Sequence, residues 1–179
     1  MSIPTERDNL GAQLVDIPGN ALVSTELNGL ANNAQVLSSV INGNGSFSNT
    51  ASDGGNYSGA GGVSGAGAPD VRLHLHLAPN GQTLAVNSSI DGWFLCAADG
   101  ATYESGSAAI TPPRAPDFQF PVGGYNLTSL ALDLEILAVG FPICGSIKTL
   151  IRNNGLGFAL APSGNYIKGY PQYPTLPSI

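Results

Sequence analysis

The chain has 179 residues, is 42% hydrophobic but only 10% charged, and carries 12 acidic against 6 basic residues for a net charge of -6. The charged fraction is under half of the ~25% usual in soluble domains, and the acidic surplus excludes a nucleic-acid binder that works through a basic face. Two cysteines exclude a disulfide-dense scaffold and a four-cysteine zinc site.

The N-terminal region, 1–41, opens with Met1 to Asp8, which is polar and has no apolar run, so it does not read as a signal peptide. Residues 1–21 read as an extended arm broken by Pro4, Pro18 and Gly19. Leu22, Val23, Leu27, Leu30, Ala34, Leu37 and Ile41 then recur at steps of mostly three and four, which predicts one amphipathic helix. Ser24 or Thr25 caps it, Glu26 suits its positive end, and Asn42-Gly43 stops it. Gly29 weakens the helix by ~1 kcal/mol, so it needs a partner surface, either its own domain or a neighbouring subunit.

Residues 42–69 form a linker. Nine glycines, five serines and four asparagines fall within 42–68, with Asp53 the one charge, too little apolar surface to offset the entropy of ordering.

From Asp70 to residue 162 the period is two. Leu73, Leu75 and Leu77 alternate with Arg72, His74 and His76 as a half-buried strand. Further strands are predicted at Thr83 to Asn87, at Ile90 to Ala97 (entered through Asp91-Gly92), at Leu127 to Leu137 and at Ile143 to Arg152. Shorter ones are predicted at Phe158 to Leu160 and Asn165 to Lys168. In Leu127 to Leu137, Leu130, Leu132, Leu134 and Ile136 share one face opposite Ala131, Asp133 and Glu135. Residues 111–124 carry four prolines and two adjacent glycines and read as a long ordered loop. Short strands separated by turn signals predict an all-β fold, an antiparallel β-sandwich or jelly-roll-like domain. The most apolar window, Leu127 to Ile143, is interrupted by Asp133, Glu135, Gly140 and Pro142, so no membrane span is expected.

The C-terminal segment, 163–179, ends in Pro171, Pro174 and Pro177 with Tyr170, Tyr173, Leu176 and Ile179, two sets each spaced by three. Polyproline II has three residues per turn, so this pattern predicts a rod about 30 Å long with an apolar edge. It reads as a docking arm, or as a tail folded over its own domain.

His74 and His76 project to one face ~7 Å apart, a spacing that suits a shared metal only if an acidic residue joins them. A polar sheet face explains them more simply, and Asp133 and Glu135 read likewise as wet-face residues rather than a glycosyl-transfer pair. Cys96 and Cys144 read as buried free thiols, a bridge requiring their strands to face each other. Cys96 with His74 lacks a catalytic turn, and Gly140 to Thr149 fails as a phosphate loop because Lys148 does not follow the second glycine. Four Asn-x-Ser/Thr triplets, at Asn44, Asn56, Asn87 and Asn126, are expected by composition and are read as unmodified. No catalytic, cofactor-binding or metal-ligating residue is assigned, and no cofactor or enzymatic activity is expected.

Taken over its whole length, with the arm Met1–Asn20, the Gly-Ser-Asn run 42–68, the strand Leu73–Leu77 and the tail Tyr170–Ile179, the chain resembles the small accessory structural proteins of tailed bacteriophage virions, of the capsid decoration, cement or head-fibre type. The resemblance implies a virion protein that forms a small homo-oligomer on the outside of a head shell and braces it, with itself and a major capsid protein as partners. The residues expected to make those contacts are Leu22, Leu27, Leu30, Leu37, Tyr170, Tyr173, Leu176 and Ile179. A carbohydrate-binding or adhesion module is the alternative, with Trp93, Tyr103 and Tyr125 offering ring faces.

Overall fold

The computed structural model describes residues 6–7, 12–14, 21–23, 25–38, 70–97, 99, 101–140 and 146–174, with backbone alone for 6–7, 12–14, 21–22, 70–71, 137–139, 146 and 170–174. The fold is all-β: the described residues form ten strands in two antiparallel sheets, with one turn of 3-10 helix at Thr25–Leu27. The strands are β1 (Glu6–Arg7), β2 (Ala12–Leu14), β3 (Ala21–Val23), β4 (Gln35–Leu37), β5 (Asp70–Leu77), β6 (Ser89–Ala97), β7 (Phe118–Pro121), β8 (Leu132–Gly140), β9 (Ser146–Asn154) and β10 (Tyr166–Pro174). Sheet A has the order β1-β2-β10-β5-β8, with β3 also on β10, and sheet B has the order β4-β9-β6-β7. Among the described residues no helix is long and apolar enough to cross a membrane.

Alternation explains the inner faces. Leu73, Leu75 and Leu77 of β5 and Ile167 of β10 are fully buried, and they belong to one cluster with Ile90, Phe94, Phe118, Phe120, Ile147 and Ile151 of sheet B. Sheet B also buries its other face. Trp93, Leu95 and Leu150 form a second cluster with Leu37 and Tyr103 packed on it, so β6 is covered on both sides, as its nearly continuous apolar sequence requires.

The helix expected over 22–41 is not formed. The path is strand, single turn, loop and strand, with Gly29 at φ +71° and Asn33 at φ +60°, both outside the right-handed helical region. Asparagine side chains make the alternative path favourable: Asn28 Oδ1 accepts from Asn165 N, Asn32 Oδ1 from Gly157 N and Asn33 Oδ1 from Gly155 N. Val23, Leu27 and Leu30 reach the main core one at a time, which satisfies the same three- and four-residue spacing without a helix.

The polyproline rod is also corrected within the described residues, because Tyr170 to Pro174 continue β10. Pro171 lies where β10 has β5 on one side and a gap between β3, which pairs at 167–168, and β2, which pairs at 172–174. A residue without an N–H is tolerated where one ladder is missing. Leu176 and Ile179, like the 42–69 linker, lie outside the described residues.

Several strand boundaries differ from the expected ones. β7 occupies part of the expected 111–124 loop. Thr83 makes only an isolated bridge to Asn126, and 158–160 is loop. β8 starts at Leu132, leaving Leu130 73% exposed. A bulge then shifts its register, Leu73 facing Ile136 but Val71 facing Val139.

Candidate functional site

On the outer face of sheet A the register sets His76 beside Asp133 and Tyr166, and His74 beside Glu135 and Lys168. The Asp133 carboxylate accepts two bonds at one oxygen, from His74 Nε2 at 2.8 Å and His76 Nδ1 at 2.7 Å. Glu135 stands 3.9 Å from His74 Nδ1 and 3.8 Å from the Arg72 guanidinium. The His76 ring stacks on Tyr166 with centroids 4.8 Å apart, and Lys168 Nζ lies over that ring from 4.8 Å. The acidic neighbour needed for a metal is therefore present. Even so, among the described residues no group of three or more His, Cys, Asp or Glu is arranged to hold a metal ion. The two imidazoles instead hold the carboxylate that lies between them.

The bonds from His74 and then His76 lower the pKa of Asp133 from its ordinary 3.8. A carboxyl depressed on folding adds stability above its unfolded value and loses it as pH falls through the folded one. Asp133→Asn is therefore expected to be less stable than the natural protein at pH 5, with the gap narrowing as pH drops below 3.8. Urea titrations at stepped pH test this, and a gap that widened on acidification would contradict it.

The three rings expected to serve a sugar are not equivalent. Trp93 is 3% exposed and its Nε1 donates to Arg114 O at 3.2 Å, so it is a core residue. Tyr103 is half-buried against the second cluster under Lys148, and Tyr125 alone is open, at 46%. The loop over this cluster is clamped by Arg114, which donates to Asp117 Oδ1 (2.6 Å), Glu104 Oε1 (2.7 Å) and Phe94 O (3.0 Å). Asp117 Oδ2 in turn accepts from Phe94 N at 2.7 Å.

The expected contact residues divide in the same way. Leu27 and Leu30 are inside the chain's own core at 0% and 8% exposure, and Leu37 packs on the second cluster. Of the two partner surfaces expected for this segment, the chain's own domain is the one that covers Leu27 and Leu30. Leu22 lies in β3, and Tyr170 and Tyr173 in β10. Cys96 is disulfide-bonded rather than a free thiol, and Cys144 lies outside the described residues.

One constellation had no sequence signal. On the outer face of sheet B, Gln35, Arg152, Asp91 and Gln119 stand in register across four strands, and Ser89 faces Asn154 in the next hydrogen-bonded row. Gln119 Nε2 donates to Asp91 Oδ1 at 2.7 Å, as does Ser89 Oγ, and Asn154 Nδ2 donates to Ser89 Oγ at 3.2 Å. These residues are scattered over 120 positions of sequence and fit no motif, so only strand pairing brings them together.

Comparison of the chain with protein-family models, with curated proteins and with solved structures finds no match.

Proposed function

We propose that the protein is a non-enzymatic structural component of a larger assembly, a virion capsid decoration or cement protein that docks as a small homo-oligomer and stabilises a shell. Its two sheets, sharing one apolar cluster, are read as a β-sandwich that carries the contact segments. The observation that supports this reading best is the ribbon at one edge of sheet A. β2 pairs with β10 at Gln172, Tyr173 and Pro174, whereas the β5 partnership ends at Gln172 opposite Asp70. N- and C-terminal segments thus pair with each other beyond the strand that carries the body of the sheet, and β1 adds a two-residue edge. Short paired arms with open edges suit addition to a neighbouring sheet, where main-chain hydrogen bonds supply affinity. The low charge supports close approach between copies.

Because Tyr170 to Gln172 also pair with β5, the deletion that tests this reading must start at Tyr173. Full-length protein is expected to scatter light as a stable multiple of 18.2 kDa over a dilution series. Protein lacking 1–14 and 173–179 is expected to keep its β circular-dichroism spectrum and fall to single-chain mass. A full-length monomer, or a truncated form that still assembles, would overturn the reading. The carbohydrate-binding alternative draws on the exposed Tyr125 ring and on the polar row of sheet B.

A further inference from the structure

The cationic side chains are few, and most are engaged. Arg72 and Arg114 meet carboxylates, while Lys148 and Lys168 lie over tyrosine rings. Arg152 differs. Its side chain is half-buried in the middle of sheet B, and among the described residues its guanidinium has no hydrogen bond, ion pair or ring partner. Asp91 stands directly opposite on β6, yet the two make no ion pair, because Asp91 is held by Ser89 and Gln119 instead.

Arg152 opens into a hollow of about 340 Å³ walled by Asn33, Gln35, Ala109 and Thr111. A second hollow of about 400 Å³ lies between the Val86–Ser88 turn and Gln119 and is lined by Asn154. Arg152 and Asn154 are two apart on one strand and so ~7 Å apart on the same face. Each hollow is within the size range of a small-ligand site, and Gln35, Arg152, Asn154 and Gln119 stand on paired strands rather than on loops, which holds the polar groups in fixed geometry.

The chemistry of the floor narrows the ligand. Gln35, Gln119 and Asn154 carry both donors and acceptors, Asp91 only accepts, and Arg152 only donates. Neighbouring hydroxyls on a sugar ring each donate and accept, so they match the amides. The free planar fork of Arg152 matches a carboxylate, which it can take with two parallel bonds. We infer that the outer face of sheet B is a binding site for a carboxylated saccharide, with Arg152 pairing the carboxylate and Gln119 and Asn154, the former held by the buried Asp91, reading the hydroxyls. The site lies on the opposite sheet from the terminal ribbon and does not depend on the assembly role.

The test is an NMR titration of isotope-labelled full-length protein with three probes: a glucuronate-containing disaccharide, its neutral glucose counterpart and inorganic phosphate. The uronate disaccharide is expected to shift the side-chain signals of Arg152, Gln119 and Asn154 saturably. Arg152→Ala should weaken it about tenfold or more and leave the feeble response to the neutral sugar unchanged. Gln119→Ala, at an exposed position of the edge strand, should weaken both sugars. Arg152→Lys serves if the alanine variant does not fold, and it should lose most of the preference for the uronate because the two-pronged contact is gone. The inference is overturned if no saturable shift appears at millimolar disaccharide, if phosphate binds as tightly as the disaccharide, or if Arg152 variants bind the uronate as well as the natural protein does.

Discussion

Gly92→Ala is expected to destabilise the protein by about 3 kcal/mol, the upper range for overpacking a well-filled core. A Cβ built on Gly92 would lie 2.0 Å from Phe118 Cζ and 2.3 Å from Cε2, so the ring must move. It has little room: Phe118 is 4% exposed, tilts against Phe94 at 5.2 Å and meets Phe120 edge-on at 5.9 Å. Phe118 is also the direct cross-strand partner of Gly92, and its ring lies across the glycine backbone. The clash belongs to the pair, so Phe118→Leu should reduce the cost of Gly92→Ala, and a double-mutant cycle by urea unfolding should give a clear coupling energy. A Gly92→Ala protein within about 0.5 kcal/mol of the natural one, the range of an ordinary surface change, would show that the ring has another place to go.

The second large effect is expected at Asn153, which is fully buried. Its Nδ2 donates to Leu30 O and to Phe158 O, both at 3.1 Å, and its Oδ1 accepts from Leu156 N at 3.3 Å. One side chain therefore ties the 28–34 loop and the 155–160 loop to β9. Leu30 O has a second donor in Leu160 N, so alanine chiefly strips Phe158 O and Leu156 N, at about 1–3 kcal/mol for each buried group left unpaired. Asn153→Ala should cost about 3 kcal/mol on that scale. Asn153→Asp should cost more, because an ionised carboxylate would face two carbonyl oxygens with no proton to offer. Denaturation midpoints in the order natural, alanine, aspartate, with faster amide exchange across 28–34, are the expected result. A loss under about 1 kcal/mol for alanine would place the anchoring of these loops elsewhere.

These two residues also show where the sequence is legible and where it is not. Alternation marked β5, whose inner positions are Leu73, Leu75 and Leu77, apolar runs marked β6 and β9, and the all-β class followed from such short strands separated by turn signals. The need for glycine at Gly92 was not legible, because the residue that requires it, Phe118, is 26 positions away in sequence. The 22–41 segment read as a helix because the apolar residues, among them the buried Val23, Leu27 and Leu30, have helical spacing. The asparagines that decide the path bond to 155, 157 and 165, contacts that no local window contains. Within 170–174 the polyproline pattern failed for a similar reason: its period of three was outweighed by ladders with β5 and β2. The candidate sites divide along the same line. His74 and His76 could be singled out because they are neighbours on one strand, whereas Asp91, Gln119 and Arg152 come from three strands and become a group only through register.

The position of β10 has a consequence for how the chain is made. It is the last of the ten strands in sequence, yet it sits inside sheet A, with β2 and β3 on one flank and β5 on the other. Until residues 166–174 emerge from the ribosome, β3 has no strand to join, and the β5–β8 pair lacks its neighbour on one side. Sheet B uses only residues 35–154 and can close earlier. Synthesis should therefore pass through an intermediate with one sheet built and the other split in two, its apolar inner face waiting on distant partners. Such non-local closure is slow and leaves strand edges open to wrong pairing, so yield in a host cell should depend on how quickly the final strand is delivered.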